Sequence, residues 1–408
     1  MSEFFKRFDI VLLLISISIV TVGLTAIYSA TYTGDSHSAY FSRQFLFAGI
    51  SLVILLVVTY LPPKTLIKFS YYLYGLSILL LILVLFFGKK ISGQKSWFSV
   101  GGFGIQPSEF AKLTTIMALA SFLSNDENEN KLNNLKNFAI AVLIIALPVF
   151  LIMRQPDMGT ALVFMSFIIP VFFWAGLSPY WIIAIVSPVI IALASFFGEI
   201  YFFIAVGLLG IGLFFLKRNY ILTSVLILIN IGVGFGTEYA YNKLAPYQQK
   251  RIMAVFDPTT DPLGSGYNVI QSKVAIGSGG FWGKGFLQGT QTQLKFIPEQ
   301  WTDFIFCMIG EEFGFLGALI IILLYCILIF KLINNAYLCK NRFLGICCIG
   351  FASIFLFHLF INIGMTIGIM PVIGIPLPLV SYGISSLLSF MIMIGIAMNA
   401  YRNRNIYI

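Results

Sequence analysis

Residues 9–30, DIVLLLISISIVTVGLTAIYSA, form an almost purely apolar stretch in which Asp9 is the one charged residue. Because a helix needs about 20 apolar residues to cross a bilayer, this stretch predicts a transmembrane helix. Lys6 and Arg7 precede it without a small-residue cleavage site, which favours a retained first helix over a signal peptide. Similar runs recur at 43–61, 70–88, 137–153, 158–176, 179–197, 219–237, 302–330, 343–368 and 379–400, with weaker runs at 107–124 and 201–216.

The composition agrees with this interpretation of the runs. Of the 408 residues, 59% are hydrophobic and 10% are charged, whereas soluble domains contain about 45–50% apolar and about 25% charged residues. The sequence therefore predicts an all-α polytopic membrane protein, a single unit over 1–408 with about 10–12 transmembrane helices. The net charge of +9 forms no basic stripe, which argues against a nucleic-acid partner.

Positive charge is distributed unevenly between the predicted loops. With cytoplasmic termini, the inner loops and tail carry most of the basic residues: Lys64, Lys68, Lys131, Lys136, Lys217, Arg218, the stretch 331–342, Arg402 and Arg404. The positive-inside rule therefore predicts cytoplasmic termini in the cell membrane. The outer segments 89–106 and 238–301 depart from the rule, and they are candidates for function.

The segment 238–301 is predicted to be a large extracytoplasmic loop. It is rich in glycine and proline, yet apolar side chains such as Ile270, Phe281 and Trp282 would be left in water if it were disordered. Loops of this length are commonly functional. We expect a short interfacial helix from Tyr267 to Ala275, followed by a glycine-rich turn.

Ionisable residues within predicted spans are candidate functional groups, because each costs about 2.5–3.5 kcal/mol near the bilayer centre. Glu109 and Lys112 share one helical face and could simply neutralise each other. Asp157 and Asp303 each begin a helix, so capping is the alternative interpretation of both. Glu311 and Glu312 have no obvious partner in the sequence, which predicts a buried network. With only two histidines in the chain, a histidine-based metal site is not expected.

Four ordered motifs resemble signatures of the SEDS family (shape, elongation, division and sporulation). They are the stretches 106–112 (QPSEFAK), 155–160 (QPDMGT), 261–304 and 376–383 (PLPLVSYG), and the resemblance covers nearly the whole chain. Within the third, Gly289-Thr290-Gln291 is similar to the elongation branch, RodA, whereas the division branch, FtsW, typically has Gly-Asn-Ser. Trp301 stands where the family usually has histidine, so we expect no histidine-assisted step there.

This resemblance implies a peptidoglycan glycosyltransferase that polymerises lipid II with inversion during cell elongation and rod-shape maintenance. Asp303 matches the family's essential aspartate and would be the general base. Lys112, Lys284 and Arg251 are candidates for stabilising the leaving pyrophosphate, while Glu109 would orient Lys112 and Asp157 would hold the cavity or a cation. Gln291 and Ser381, in matched motifs, complete the set of candidate substrate-binding residues.

The resemblance also implies partners, namely a class B penicillin-binding protein and other membrane proteins of the elongation complex. No cofactor is certain, and a divalent cation, Mg²⁺ or Mn²⁺, is the candidate. Residues 198–237 are longer than the single-helix connection common in the family, which predicts an extra helix pair. A precursor flippase or transporter, an FtsW-like division polymerase, and a scaffold that only recruits a transpeptidase remain alternative interpretations.

Overall fold

The computed structural model describes residues 8–32, 39–91, 94–100, 103–124, 132, 134–215, 220–244, 248–251, 253, 265–298 and 300–405. Its helices in the first half of the chain are α1 (Ile10–Thr31), α2 (Ala39–Tyr60), α3 (Pro63–Phe87), α4 (Pro107–Ser124), α5 (Leu135–Met153) and α6 (Met158–Trp174). Those in the second half are α7 (Pro179–Phe197), α8 (Glu199–Phe215), α9 (Tyr220–Lys243), α10 (Ser265–Gly279), α11 (Thr290–Gln293), α12 (Ile305–Leu338), α13 (Arg342–Thr366) and α14 (Ile384–Arg402).

Nine helices in the described part of the chain are long and apolar enough to cross a membrane. The shorter apolar helices α6 and α8 add two further candidates, and α4 is a buried helix of 18 residues. The predicted fold class, a polytopic helical membrane protein, is confirmed. The arrangement of its loops relative to the two sides of the membrane stays a prediction.

A small antiparallel sheet lies between α3 and α4, and the all-α prediction missed it. Strands β1 (Lys89–Ile91), β2 (Gln94–Val100) and β3 (Phe103–Ile105) pair in the order β1-β2-β3. Gly104 faces Ser99 across β2 and β3, and a Cβ at position 104 would lie 3.0 Å from the Trp97 ring. The glycine thus leaves room for the indole ring. Strands this short give little periodic signal in the sequence.

The helices divide into a buried centre and an exposed periphery. The most apolar 18-residue stretch is 83% buried in α13 and 78% buried in α14. In α7 the corresponding stretch is only 17% buried. Helix α13 packs against α12, α6 and α4, while α14 packs against α2. Polar groups on α13 are therefore enclosed by protein rather than by lipid, which matters for the site described below.

The segment predicted as a long loop is largely structured where it is described. Helix α9 continues to Lys243, and α10 spans Ser265–Gly279, so a helix is present where one was predicted and is longer than expected, while its position at the membrane interface stays a prediction. Residues 254–264 of the predicted loop lie outside the described residues. Helices α8 and α9 occupy the stretch 198–237, and their status as an extra pair stays a prediction.

The glycine-rich turn after α10 is inserted into a break in α12. At Gly314 the backbone leaves the helical region, with φ 66° and ψ −161°. The N–H groups of Lys284 and Gly285 donate to the carbonyls of Glu311 and Glu312, at 3.0 Å each. In return, the N–H groups that follow the break donate to the carbonyls of residues 280 and 281. The turn therefore replaces hydrogen bonds that the helix would otherwise make within itself.

Replacing Gly283 by alanine should disrupt this insertion. Its φ is 85°, and an added Cβ would lie 2.1 Å from the carbonyl oxygen of Glu312. We expect Gly283→Ala to lower the free energy of unfolding by about 1–3 kcal/mol, measured as a lower thermal unfolding midpoint of the detergent-purified protein. Gly277→Ala is the matched control, because a Cβ there meets nothing within 4 Å. Equal midpoints for the two variants would show that the close approach at Gly283 is unimportant.

Candidate active site

Asp303 lies in a turn that leads into the buried first half of α12. The turn covers residues 301–304, and the side chain of Asp303 is half-buried. The cap position of α12 falls on Phe304, which makes no side-chain capping bond. The cap is thus Phe304 and not Asp303. The capping interpretation of Asp303 misses the observed cap by one residue.

The turn is held by the irregular segment that joins α13 to α14, residues 371–383, here called the strap. The Tyr382 N–H donates to the Trp301 carbonyl at 2.9 Å. The Ser381 hydroxyl donates to the Thr302 carbonyl at 2.6 Å and accepts the Leu377 N–H at 2.8 Å. Ser381 is 5% exposed, so its hydroxyl supports the backbone. Its predicted contact with substrate is untested.

Asn362 on α13 joins the strap directly to Asp303. Its side-chain amide donates to the carbonyls of Asp303 and Ile375, both at 2.8 Å. Gly374 lies beside the carboxylate, since a Cβ at that position would be 3.1 Å from Asp303 Oδ2. Gly374 also has φ 81°, a conformation that L-residues with a side chain rarely adopt. Glycine is thus required here on two grounds.

Lys112 on α4 is almost completely buried and is linked to the strap through His358. Its ammonium donates to Glu109 Oε1 at 2.9 Å, with side-chain exposures of 1% and 6%, so the predicted pair is present. His358 Nε2 lies 3.4 Å from Lys112 Nζ, and its Nδ1 lies 2.9 Å from the Pro376 carbonyl oxygen. Glu109 Oε2 is buried without a hydrogen bond to the described residues. One carboxylate oxygen thus remains available to a ligand or water.

Asp157 belongs to the same group of charges. Its carboxylate caps α6, accepting the Thr160 N–H at 3.0 Å and the Thr160 hydroxyl at 2.7 Å, as the capping interpretation predicted. The Gln106 amide donates to it as well, at 3.2 Å. Burial raises the pKa of this carboxyl above its ordinary value, and the bonds from Thr160 oppose that shift. The charges of Glu109 and Lys112 also act on it, so three predicted residues share one site.

Glu311 has partners that the sequence did not suggest. It is fully buried and accepts Lys284 Nζ at 2.8 Å, the Gln291 N–H at 2.9 Å and the Thr292 N–H at 3.0 Å. Its carboxylate therefore caps α11 and pairs with Lys284. The prediction of a buried network is confirmed, and Lys284 is held within it with a side chain 25% exposed.

The remaining predicted residues differ in how closely they approach the site. Gln291 keeps its side-chain Oε1 buried without a hydrogen bond to the described residues, so this oxygen is available to a ligand. Arg251 is exposed in the stretch 248–251, so its predicted contact with substrate stays a prediction. Glu311 lies six residues into α12, about 9 Å along the helix from Ile305, whereas Asp303 lies in the turn before that helix.

Two residues of the site were missed by the sequence analysis, His358 and Asn362. They are four residues apart on one face of α13, and both are buried, at 1% and 0% exposure. Polar side chains in the otherwise apolar run 343–368 were the available signal, because such residues within membrane helices commonly mark functional sites. Neither the spacing nor the composition indicated which distant groups they contact.

The carboxylates of the site are its candidate ligands for a metal ion. Among the described residues, no group of three or more His, Cys, Asp or Glu side chains is arranged to hold a metal ion. Glu109 and Asp157 could contribute oxygen ligands, the donors that Mg²⁺ and Mn²⁺ prefer. A divalent cation therefore stays a prediction that would need phosphate oxygens of a ligand to complete its coordination.

Comparison with known proteins gives matches along the whole chain. The model of the family of cell cycle proteins FtsW, RodA and SpoVE matches residues 6–205 and 197–406. Peptidoglycan glycosyltransferase RodA of Treponema pallidum is 35% identical, with 96% of this chain and 97% of the relative aligned. Stage V sporulation protein E of Bacillus subtilis is 34% identical, with 97% of each chain aligned.

A solved structure shares the fold as well. It comes from a peptidoglycan synthase complex, studied for its structural coordination of polymerization and crosslinking. The TM-score is 0.74 and the identity 28%, with 98% of each chain covered. The arrangement of helices seen here is therefore that of an experimentally determined protein.

Removing the Ser381 hydroxyl should loosen the turn that carries Asp303. Ser381→Ala deletes one hydrogen bond to the Thr302 carbonyl and leaves the Leu377 N–H without its acceptor. An unsatisfied buried group costs about 1–3 kcal/mol, so we expect a lower thermal unfolding midpoint. Ser386→Ala is the control, because its hydroxyl makes neither of these contacts. A Ser381→Ala midpoint equal to that of the control would contradict a structural role for the hydroxyl.

Proposed function

We propose that this chain, which belongs to the FtsW, RodA and SpoVE family of cell cycle proteins, is a peptidoglycan glycosyltransferase that polymerises lipid II. The observation that carries the proposal is that side chains of α13 link both the turn bearing the Asp303 carboxylate and the buried Lys112 cation to one strap. Asp303 is fixed beside Gly374 and Ile375, and His358 connects Lys112 to the adjacent Pro376. Glycosyl transfer from a lipid pyrophosphate needs both kinds of group.

The carboxylate would act on the acceptor. The 4-hydroxyl oxygen of the acceptor GlcNAc forms a bond to C1 of the donor MurNAc, and the bond from C1 to the phosphate oxygen breaks with inversion. The hydroxyl proton passes to Asp303, and the electron pair leaves with undecaprenyl pyrophosphate. A sugar hydroxyl is a weak nucleophile, so a base positioned in the transition state contributes roughly 10²–10⁴-fold.

The cation would act on the leaving group. Negative charge develops on the pyrophosphate as the C1–O bond breaks, and a fixed ammonium in a water-poor site stabilises that charge. Lys112 is the best-placed candidate because His358 links it to Pro376 of the strap. Glu109 orients it through their ion pair, while Asp157, hydrogen-bonded to Gln106, holds the start of α4 against α6.

The other candidates have weaker support as ligands of the substrate. Lys284 is already paired with Glu311, so its first effect is to hold the turn 280–285 and α11 in place. Gln291 offers an unpaired oxygen at the same cluster. Arg251 is exposed and would contact substrate only as part of the neighbouring loop.

The biological setting is proposed on the same basis. The protein would lie in the cell membrane with cytoplasmic termini and with Asp303 on the extracytoplasmic side, where lipid II presents its sugars. The Gly289-Thr290-Gln291 sequence supports an elongation role over a division role. Overall sequence identity does not separate the branches of the family, because it is 35% to the RodA relative and 34% to the sporulation relative. The partner would be a class B penicillin-binding protein, in keeping with the synthase complex that shares the fold. Other membrane proteins of the elongation complex are further expected partners.

Replacing Asp303 tests the proposed chemistry. Asp303→Asn keeps the size of the side chain but removes the base, so we expect polymerisation of lipid II to fall by roughly 10²–10⁴-fold while lipid II binding is retained. The assay uses the purified protein with and without its penicillin-binding protein, and glycan strands are separated by gel electrophoresis. Glu199→Gln, which changes an exposed carboxylate on α8, a helix packed against α7 and α9, is the matched control.

Each of the other results of this assay has a definite meaning. Equal strand formation by wild type and Asp303→Asn would place the base elsewhere, with Asp157 the next candidate. Wild-type protein that makes no strands with its partner, yet moves lipid II across vesicles, would establish the flippase interpretation. If depletion in the host causes filamentation rather than loss of rod shape, the division role replaces the elongation role.

Neutralising the Lys112–Glu109 pair tests the role of the cation. Lys112→Met alone would leave Glu109 buried and unpaired, which costs about 3–5 kcal/mol, so we use Glu109→Gln with Lys112→Met. We expect this double variant to fold but to bind undecaprenyl pyrophosphate about 10–150-fold more weakly, the range for a lost hydrogen bond to a charged group. Binding is measured by isothermal titration in nanodiscs.

A second ion pair provides the control for this measurement. Lys331 and Asp9 form a pair at 3.0 Å near the far end of α12, away from Asp303. We expect Asp9→Asn with Lys331→Met to bind undecaprenyl pyrophosphate as wild type does. If both double variants lose affinity equally, the loss reflects general loosening of the helices and Lys112 has no specific role.

A further inference from the structure

We infer that His358 is a positioning residue that fixes the Lys112 ammonium relative to Asp303. The inference rests on the proposed function, because it concerns the same pair of chemical groups. His358 makes no described contact with Asp303 itself, so its effect is exerted through Lys112 and through the strap.

The hydrogen-bond geometry determines the tautomer of His358. The Pro376 carbonyl can only accept, and it lies 2.9 Å from Nδ1, so Nδ1 carries the proton. In the neutral ring Nε2 then presents a lone pair, and this atom lies 3.4 Å from the Lys112 ammonium, which can only donate. An imidazolium would instead direct an N–H at a positive charge. His358 is therefore a neutral acceptor for Lys112.

His358 orients Lys112 without adding a second negative charge beside it. Of the three ammonium protons, one is donated to Glu109 Oε1 at 2.9 Å, and a second faces His358 Nε2. A second carboxylate in place of the imidazole would make the group net negative and would repel a pyrophosphate. The neutral histidine supplies direction only, leaving the third proton for an anionic ligand.

The other ring nitrogen connects this cation to the neighbourhood of Asp303. Asn362, one helical turn along α13, donates to the carbonyls of both Asp303 and Ile375. His358 bonds to the next carbonyl along the strap, that of Pro376. Since both anchors are on one rigid helix, the distance between cation and base is set by α13.

Such a distance matters for the transfer reaction. The acceptor oxygen and the leaving oxygen lie on opposite faces of C1, so the base and the cation must be correctly placed at the same time. A misplacement of about 1 Å can lower the rate by roughly 10²-fold. Losing His358 would release Lys112 from one partner and Pro376 from its donor.

A purely structural role is the alternative, and it predicts a different pattern. The imidazole ring also contacts Phe390 edge-on, at 5.2 Å between ring centres. If His358 only filled space and satisfied Pro376, its loss would have the same effect whether or not Lys112 were present. A positioning role requires the effect to disappear when Lys112 is absent.

The experiment is a double-mutant cycle on the full-length protein in nanodiscs. His358→Leu is made in the wild-type chain and in the Glu109→Gln, Lys112→Met chain, and undecaprenyl pyrophosphate affinity is measured for all four proteins. We expect His358→Leu to weaken binding by about 10-fold in the wild-type background, the effect of one hydrogen bond to a charged group. In the background without Lys112 we expect His358→Leu to change the affinity by less than about 2-fold. The two substitutions are non-additive only if His358 and Lys112 interact.

Two further variants separate positioning from folding. His358→Gln can still donate to Pro376 and accept from Lys112. Because both hydrogen bonds are retained, we expect the affinity and the rate of lipid II polymerisation to be within about 3-fold of wild type. Asn399→Ala removes the donor to the Leu61 carbonyl at 2.6 Å, which loosens the contact of α14 with the end of α2 without touching Lys112 or the strap. We expect it to lower the thermal unfolding midpoint and to leave the affinity unchanged.

The inference and the proposed function fail in different ways. Equal effects of His358→Leu in both backgrounds, or none in either, would overturn the positioning role. If the wild-type chain polymerises lipid II while both His358 variants match it, the glycosyltransferase proposal stands and only the inference is lost. A wild-type chain that makes no strands but shows the cycle described here would keep His358 as a phosphate-site residue and overturn the proposed activity.

Discussion

Irregular backbone enclosed by membrane helices must find its hydrogen-bond partners within the protein, because lipid offers none. The strap, residues 371–383, is such a segment, and side chains from several helices satisfy it. The donors to its carbonyls are Gln44, Tyr325, His358 and Asn362. Because Asn362 also holds the Asp303 carbonyl and His358 also faces Lys112, satisfying the strap places both chemical groups of the site.

The break in α12 also leaves backbone groups that need hydrogen-bond partners within the protein, and here the partners are backbone groups of a turn. Beyond Glu311 and Glu312 the helix loses its own hydrogen bonds, and the turn 280–285 supplies replacements. Glycine is needed at 283 and 314 because backbone meets backbone there, and a Cβ at either position would lie within 2.3 Å of it. The buried Glu311 carboxylate then ties Lys284 and the start of α11 to the same place. The extracytoplasmic loop proposed from the sequence is thus joined to the helix that begins beside Asp303.

The sequence predicted most of the spans and selected four candidate residues of the site, but it missed His358 and Asn362 and could not give the contacts between these residues. Apolar runs predicted most helices, and the motifs selected Asp303, Lys112, Glu109 and Asp157. Hydrophobic periodicity reports only which face of an element is buried, so it could not pair Lys112 with His358, 246 residues away. For the same reason Glu311 had no predicted partner, and the three-stranded sheet at 89–105 was too short to leave a signal. The glycine-rich turn was predicted, but its insertion into the break of α12 was not, because composition does not indicate which backbone a turn approaches.

These connections also bear on the choice between catalysis and transport. In many transporters, interrupted helices leave backbone groups facing a cavity, where they bind the cargo or its coupling ion. Here several backbone groups at the break and along the strap are hydrogen-bonded within the protein: the turn 280–285 fills the break at Gly314, and α13 supports the strap. Lys112 is likewise held by Glu109 and faces His358 rather than lying along an open path. Groups fixed in this way are suited to a transition state of one geometry, whereas a carrier must release its cargo by rearranging the groups that bind it.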